Sequence, residues 1–245
     1  MLKISNLSKH FGGVKAVNNC SFDIKENNIT ALIGPNGSGK STVFNLISGV
    51  LKEDSGKIIY DKKDITSLSP EQVSNAGVSR LFQKSQLFDN LTIKENLLLA
   101  IDNEDTKFWK NIFGKNKTSK EKEEIVKEIL KSIEMDFFSN KLGRDLSFGQ
   151  KRLVEIARTI LNPHKLLMLD EPVAGVNPKL RTKISEILLD LKKKGATIFL
   201  IEHDMNFALN LADEVIVMDE GKVIARGTPN QIKNNKKVLE AYLGD

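Results

Sequence analysis

Eight consecutive residues in this 245-residue chain carry its clearest chemistry: Gly34-Pro35-Asn36-Gly37-Ser38-Gly39-Lys40-Ser41, with Thr42 after them. Gly, four variable residues and Gly-Lys-Ser is the pattern of a loop whose backbone N–H groups turn inward onto phosphate oxygens. The apolar run Ile29–Ile33 precedes it and the helical pattern Val43, Phe44, Leu46, Ile47 follows. A loop so placed opens a helix, whose N-terminus adds about half a positive charge facing the anion. Lys40 is a point charge for β- and γ-phosphates, and Ser41 offers a hydroxyl to Mg²⁺. A second constellation, Leu166-Leu167-Met168-Leu169-Asp170-Glu171, is an apolar strand ending in two carboxylates. Ligands of open α/β sheets bind at that carboxyl edge. There Asp170 can hold Mg²⁺ through water, and Glu171 can polarise a water for in-line attack on a γ-phosphate. His203 follows the buried run Thr197–Ile201. An imidazole at that edge can donate to the γ-phosphate, although a helix-capping or core histidine fits the position equally well. His10 and His164 have no such setting and read as surface residues.

Short β-type runs alternating with helical patterns predict an α/β fold around these groups. Leu2–Leu7 alternates, and Ser21–Ile24 precedes an Asn27-Asn28 turn. Ile29–Ile33, Val78–Phe82, Leu166–Leu169, Thr197–Ile201 and Val215–Met218 read as strands buried on both faces. Ser69, Thr92 and Thr228, each with Glu or Gln three residues on, read as capping boxes. Ile125, Ile129, Leu130 and Ile133 recur at helical spacing, as do Leu153, Ile156, Ala157 and Ile160. Leu180, Ile184, Leu188 and Leu191 mark a helix stopped by Gly195. From about Leu87 to Asn162 no strand is convincing, so this stretch reads as an inserted helical subdomain. Within it, Lys115–Glu124 reads as a solvated loop leading into a helix.

Composition narrows the class. The chain has 37 Lys+Arg against 32 Asp+Glu and one cysteine, Cys20. A disulfide framework and a Cys-rich zinc site are thereby excluded, and a reducing compartment is suited. No run approaches the roughly 18 apolar residues of a membrane span, and Met1–Asn6 has no apolar core, so no secretion signal is expected. Membrane work would need another chain to do the spanning. Of the +5 net charge, Lys107–Lys131 holds eight lysines against four glutamates. A nucleic-acid binder spreads its basic residues along a face, whereas this excess sits in one segment. Within that segment Phe108, Trp109, Ile112 and Phe113 could share a helical face touching anionic headgroups or a membrane partner, or could pack inward.

Gly34–Ser41, Gln83 after Val78–Phe82, Leu146-Ser147-Phe148-Gly149-Gln150, Leu166–Glu171 and His203 occur in the order and spacing of an ATP-binding cassette (ABC) ATPase. The chain resembles that family from Leu2 to Asp245. The Leu-Ser-x-Gly-Gln signature discriminates, because other P-loop proteins lack it. The resemblance implies a P-loop α/β fold with an antiparallel β subdomain. Core and β subdomain would occupy about 1–86 and 163–245, and the helical subdomain about 87–162. It implies that Phe11 stacks on adenine with Val17 beside it, that Gly34 to Thr42 hold the phosphates of ATP, and that Gln83 joins Ser41 and Asp170 on Mg²⁺. It makes Glu171, His203 and Gln83 catalytic. It implies that Ser147, Gly149 and Gln150 contact ATP held on a second ATPase subunit, identical or paralogous. Ala174–Asn177 would cross between the subunits, with Asn177 departing from the usual Asp and Phe148 from the commoner Gly.

Further marks are similar to the ATPases of branched-chain amino-acid importers: Phe11–Val17, Ala174–Pro178, Ile201–Met205 and the ending Ala241–Asp245. Lipopolysaccharide-export and urea-import ATPases share several of them. The resemblance implies integral membrane permease subunits, an extracytoplasmic substrate-binding protein, no nucleic acid, and a peripheral place on the cytoplasmic membrane face. Gln83–Asn90 would line a groove for a cytoplasmic helix of the permease, with Leu87 and Phe88 as apolar contacts or, alternatively, as packing for the helical subdomain. A soluble ABC ATPase acting on DNA or ribosomes is the competing class, and the single cassette without sustained heptads weighs against it.

Overall fold

The computed structural model describes residues 1–82, 87–101, 119–162 and 164–243. Gln83 and the Lys107–Phe113 segment therefore lie outside the described residues. In chain order the elements are β1 (Leu2–Phe11), β2 (Val14–Ile24), β3 (Ile29–Ile33), α1 (Lys40–Ile47), β4 (Ser55–Tyr60), β5 (Lys63–Asp64), α2 (Pro70–Asn75) and β6 (Val78–Leu81). Then come α3 (Ile93–Ile101), α4 (Ser119–Ser132), α5 (Phe148–Leu161), β7 (Leu166–Asp170), α6 (Pro178–Lys193), β8 (Thr197–Ile201) and α7 (Met205–Leu211). The chain closes with β9 (Glu214–Asp219), β10 (Lys222–Gly227), α8 (Pro229–Lys233) and α9 (Lys236–Leu243).

Among the described residues the strands form two sheets. One is antiparallel, ordered β2-β1-β4-β5; the other is ordered β10-β9-β3-β8-β7-β6. In the second, β3, β6, β7, β8 and β9 run parallel and β10 is an antiparallel edge. The continuous apolar runs in its centre have a direct cause: both faces are covered. Ile29, Ala31 and Ile33 of β3, Leu167 and Leu169 of β7, and Ile198 and Leu200 of β8 face a core shared with α5, α6 and α7. Leu32, Met168, Phe199 and Ile201 face the other way, onto α1 and the antiparallel sheet. All three predicted capping boxes are present at Ser69, Thr92 and Thr228.

Between β6 and β7 the described residues contain no strand, only an isolated bridge between Thr92 and Leu142. The helices there share the core that faces α5, with Ile93, Leu97, Val126 and Leu130 packed beside Leu153 and Ile156. The solvated loop expected up to Glu124 is shorter than read, because α4 is already helical at Ser119. His164 is not a surface residue. It is half-buried, its Nδ1 lies 2.7 Å from the Asn162 carbonyl, and burial holds its imidazole below the usual histidine range. No helix among the described residues is long and apolar enough to cross a membrane.

Phe199 anchors the joint between the two sheets. Its ring lies 4.8 Å from that of Phe44 and 5.8 Å from that of Phe22, and it is fully buried. Phe199→Ala is expected to lower unfolding free energy by about 3–5 kcal/mol in urea denaturation. A loss below about 1 kcal/mol would mean this layer does not hold the sheets together.

Candidate active site

The phosphate-binding loop is shaped by close backbone approach. A Cβ on Gly34, at φ +151°, would lie 2.0 Å from the Met218 carbonyl oxygen, and one on Gly39, at φ +99°, 2.1 Å from that of Ala16. Only glycine fits at either position. Gly39 is the N-cap of α1, so the helix begins with its orphan N–H groups facing the loop. Lys40 is buried, and its ammonium donates to the carbonyls of Gly34 and Pro35, both at 2.8 Å. The Ser38 carbonyl accepts from Gly221 N, and Gly221 in turn accepts from Asn18 N, which backs the loop onto β2 and the β9–β10 turn. A cleft of about 550 Å³ opens over this loop, walled by Asn36, Gly37, Gly39, Lys40, Ser41, Thr42, Glu171, Lys15 and Glu220. Lysine, backbone N–H groups and a helix N-terminus in one cleft suit a polyphosphate.

Parallel pairing delivers the acidic groups to the same edge. Asp170 is the last residue of β7 and pairs with Ile201 of β8, which pairs with Leu32 of β3. Glu171 is the first residue beyond the strand and adopts φ +48°, which is unusual for a residue with a side chain. Its N–H donates to Ile201 O and its carbonyl accepts from Ala174 N, so a tight turn holds the conformation. His203 Nδ1 lies 3.8 Å from Glu171 Oε1. The structure thus brings Lys40, Ser41, Glu171 and His203 to one edge.

Asp170 is buried and paired with Arg80, Nη2 to Oδ2 at 3.0 Å. Arg80 also donates to Asn45 Oδ1 at 2.8 Å and Ser48 Oγ at 2.6 Å on or beside α1, and its guanidinium lies 4.7 Å from the Phe82 ring centroid. Sequence reasoning missed Arg80, since one arginine in a strand has no pattern that announces burial. The Ser41 hydroxyl lines the cleft, whereas Asp170 does not and is held by Arg80; both are hard oxygen donors, of the kind that suits Mg²⁺ rather than a softer metal.

Other residues depart from expectation. Val17 is fully buried, with 0% exposure, among the residues that join the two sheets. It therefore does not pack beside a base in the cleft. A register shift in the β1–β2 ladder and Asn19 at φ +54° set which residues of β2 face inward, and Val14, Lys15 and Ala16 line the cleft instead. Phe11, near the hairpin tip, is 47% exposed. Leu87 packs against the core, whereas Phe88 is 50% exposed.

The signature residues are elsewhere. Ser147 is the N-cap of α5 in a full capping box with Gln150. Neither Ser147, Gly149 nor Gln150 lines the cleft over Gly34–Thr42. A Cβ on Gly149 would lie 2.7 Å from Leu180 Cδ2, so its glycine permits close packing of α5 on α6. Phe148 is 65% exposed and rests on Gly175, where an added Cβ would meet its Cε1 at 3.0 Å. Asn177 caps α6 by accepting from Leu180 N at 2.9 Å, a role Asn fills as well as Asp.

Glu202, next in the chain before His203, is fully buried. Its Oε1 accepts from Val173 N at 3.3 Å, and Oε2 has no hydrogen-bond partner among the described residues. Burial, reinforced by Glu171 and Asp204, pushes its carboxyl up from 4.5 to about 7. Between those pH values the folded chain keeps a proton that the unfolded chain releases. Stability from this group is complete below about pH 4.5 and is lost as pH rises through about 7, by up to about 3 kcal/mol. Glu202→Gln is expected to flatten that slope in denaturation curves taken from pH 5 to 8; parallel curves for the two proteins would contradict it.

Comparison with known proteins identifies the family. The ABC transporter family profile matches residues 17–174. A profile for branched-chain amino acid ATP-binding cassette transporters matches residues 222–245. The probable branched-chain amino acid transport ATP-binding protein LivG of Archaeoglobus fulgidus is 40% identical, over 100% of this chain and 95% of the relative. The high-affinity branched-chain amino acid transport ATP-binding protein BraF of Pseudomonas aeruginosa is 36% identical, over 100% and 98%. A solved ATP-binding cassette of an ABC transporter in its ADP conformation superposes with a TM-score of 0.85 at 35% identity, covering 100% of this chain and 99% of that one. The chain belongs to the ABC transporter family, as one of its ATP-binding cassettes, a group of nucleotide-binding transport ATPases.

Proposed function

We propose that this chain is the ATP-hydrolysing subunit of an uptake system for branched-chain amino acids, acting head to tail with a second cassette. One observation carries the reading: the two anion-binding devices of the chain are apart. The Gly34–Thr42 cleft contains Glu171, while the capped α5 N-terminus at Ser147 lines no part of it. Two such half-sites become complete when ATP in the cleft of one cassette meets Ser147, Gly149 and Gln150 of the other. Phe11 stacks on the adenine. Lys40 exchanges the Gly34 and Pro35 carbonyls for β- and γ-phosphate oxygens.

In hydrolysis, a water oxygen attacks the γ-phosphorus in line, the bond to the β–γ bridging oxygen breaks, and ADP and phosphate separate. Glu171 takes the proton from the attacking water. His203, beside Glu171, donates to the γ-phosphate. Ser41, Asp170 and Gln83 would hold Mg²⁺, which would neutralise the charge on the phosphates. Loss of the γ-phosphate removes the link between cassettes, so binding and hydrolysis switch the pair between closed and open states.

The switch needs an outlet. A groove of about 580 Å³ is lined by Phe88, Leu99, Val78, Phe82 and Arg158, with the Arg158 guanidinium 5.2 Å from the Phe88 ring centroid. It suits a short helix of an integral membrane permease. An extracytoplasmic substrate-binding protein would deliver the amino acid, and the cassette would sit peripherally on the cytoplasmic membrane face. The substrate class rests on the relatives and on the match at residues 222–245.

Glu171→Gln is expected to keep ATP binding, lose about 100-fold or more in turnover, and accumulate as an ATP-bound dimer on gel filtration. Unchanged turnover would remove Glu171 from the mechanism. Phe88→Ala is expected to leave basal ATPase activity within about twofold and to abolish labelled leucine uptake by the assembled transporter. Uptake at the wild-type rate would show that the groove does not dock the permease.

A further inference from the structure

Arg152 stands on α5, five residues after the Ser147 cap, and is only 5% exposed. Nε donates to Pro172 O at 3.2 Å. Nη1 donates to Phe82 O at 3.2 Å and to Glu155 Oε2 at 3.3 Å. Nη2 donates to Asp170 O and Glu171 O, both at 2.7 Å. A guanidinium has five N–H donors in a fixed planar fork, and these five acceptors use them all. Three acceptors are consecutive carbonyls at the turn that carries Glu171, where the backbone adopts φ +48°. The fourth is the last described carbonyl before Gln83. Glu155, one turn along α5, offsets the buried charge.

We infer that Arg152 is a positioning residue that pins the helix bearing the signature to the backbone of Glu171, so that both half-sites of one chain move together. This rests on the proposed roles of Ser147 and Glu171. In a head-to-tail pair those two residues of one chain serve different ATP molecules. A shift of α5 when Ser147 meets the partner's γ-phosphate therefore pulls on the carbonyls of Asp170, Glu171 and Pro172 and re-aims the base at the chain's own site. Arg152 carries the state of one site to the other through a single side chain. It touches no nucleotide: the cleft over Gly34–Thr42 is lined by other residues.

Arg152→Lys keeps the charge and a donor head but cannot span five acceptors in a plane. It is expected to retain the wild-type melting temperature within a few degrees and to bind fluorescent ATP analogue within about twofold. Its kcat should fall roughly tenfold or more with little change in KM, since a misplaced base costs rate rather than binding. The Hill coefficient for ATP should fall from above 1 in the wild type to about 1, as coupling between sites is lost. Wild-type kcat and Hill coefficient in this variant would overturn the inference. So would loss of activity that merely follows loss of ATP binding and melting temperature, the pattern of a purely structural residue. Glu171→Gln run in parallel separates the two claims. If it still turns over ATP, the underlying site reading fails; if it is arrested while Arg152→Lys is normal, only the pin fails. Should Arg152→Lys not fold, hydrogen exchange of the wild-type chain in sub-denaturing urea decides. Amides of 148–152 and of 171, 173 and 174 are expected to share one opening free energy, and separate openings would overturn the pin.

Discussion

The register of the parallel strands is the constraint on which the rest of this molecule depends. Leu32, Ile201 and Asp170 are paired across β3, β8 and β7. Because they lie in one row, the residues just beyond them emerge together: Gly34 opening the loop, Glu171, and Glu202-His203. Backbone bonds continue the row past the strands, from Glu202 N to Leu32 O and from Glu171 N to Ile201 O. Alternation is what locks it. Leu200 and Phe199 face opposite cores, and a slip of one residue would send each to the wrong side. The apolar packing of the sheet therefore fixes the spacing of the charged groups at its edge.

Charges at that edge are held from behind. Arg80 neutralises Asp170 in a buried pair and ties it to Asn45 and Ser48. Truncating either member would strand the other, at a cost of about 3–5 kcal/mol. Arg152 grips the carbonyls of the same turn. With burial lifting Glu202 beneath them, the turn after β7 is ringed by groups whose polar atoms have few alternatives. Such a turn moves as a unit or not at all, which is the property a switch between two packed states needs.

Much of this was legible in the sequence where one physical demand dictates residue type. Gly34 and Gly39 were readable because no other residue fits the close approaches there. The central strands were readable because burial on both faces leaves mostly apolar residues, and the caps because an orphan N–H group needs an oxygen. Half-exposed strands were not. β4, β5 and β10 carry mixed residues, and β1 and β2 run longer than their alternation suggests because irregular register breaks the period. The same irregularity placed Val17 in the core. Arg80 and Arg152 were invisible for another reason: arginine is ordinarily exposed, and the partners that bury these two lie mostly in segments distant along the chain. Leu87 and Phe88, adjacent in sequence, face opposite ways, a distinction that only packing decides.

The central claim is that one chain encodes half of an active site. The most direct measurement is specific ATPase activity per chain as total protein is diluted from micromolar to nanomolar, with the partner cassette at equal concentration if the pair is mixed. If two cassettes complete each site, activity per chain falls with about the first power of concentration below the dimer dissociation constant and is flat above it. Activity per chain that stays constant to the lowest concentration, by a species that sediments as a monomer, would contradict the account.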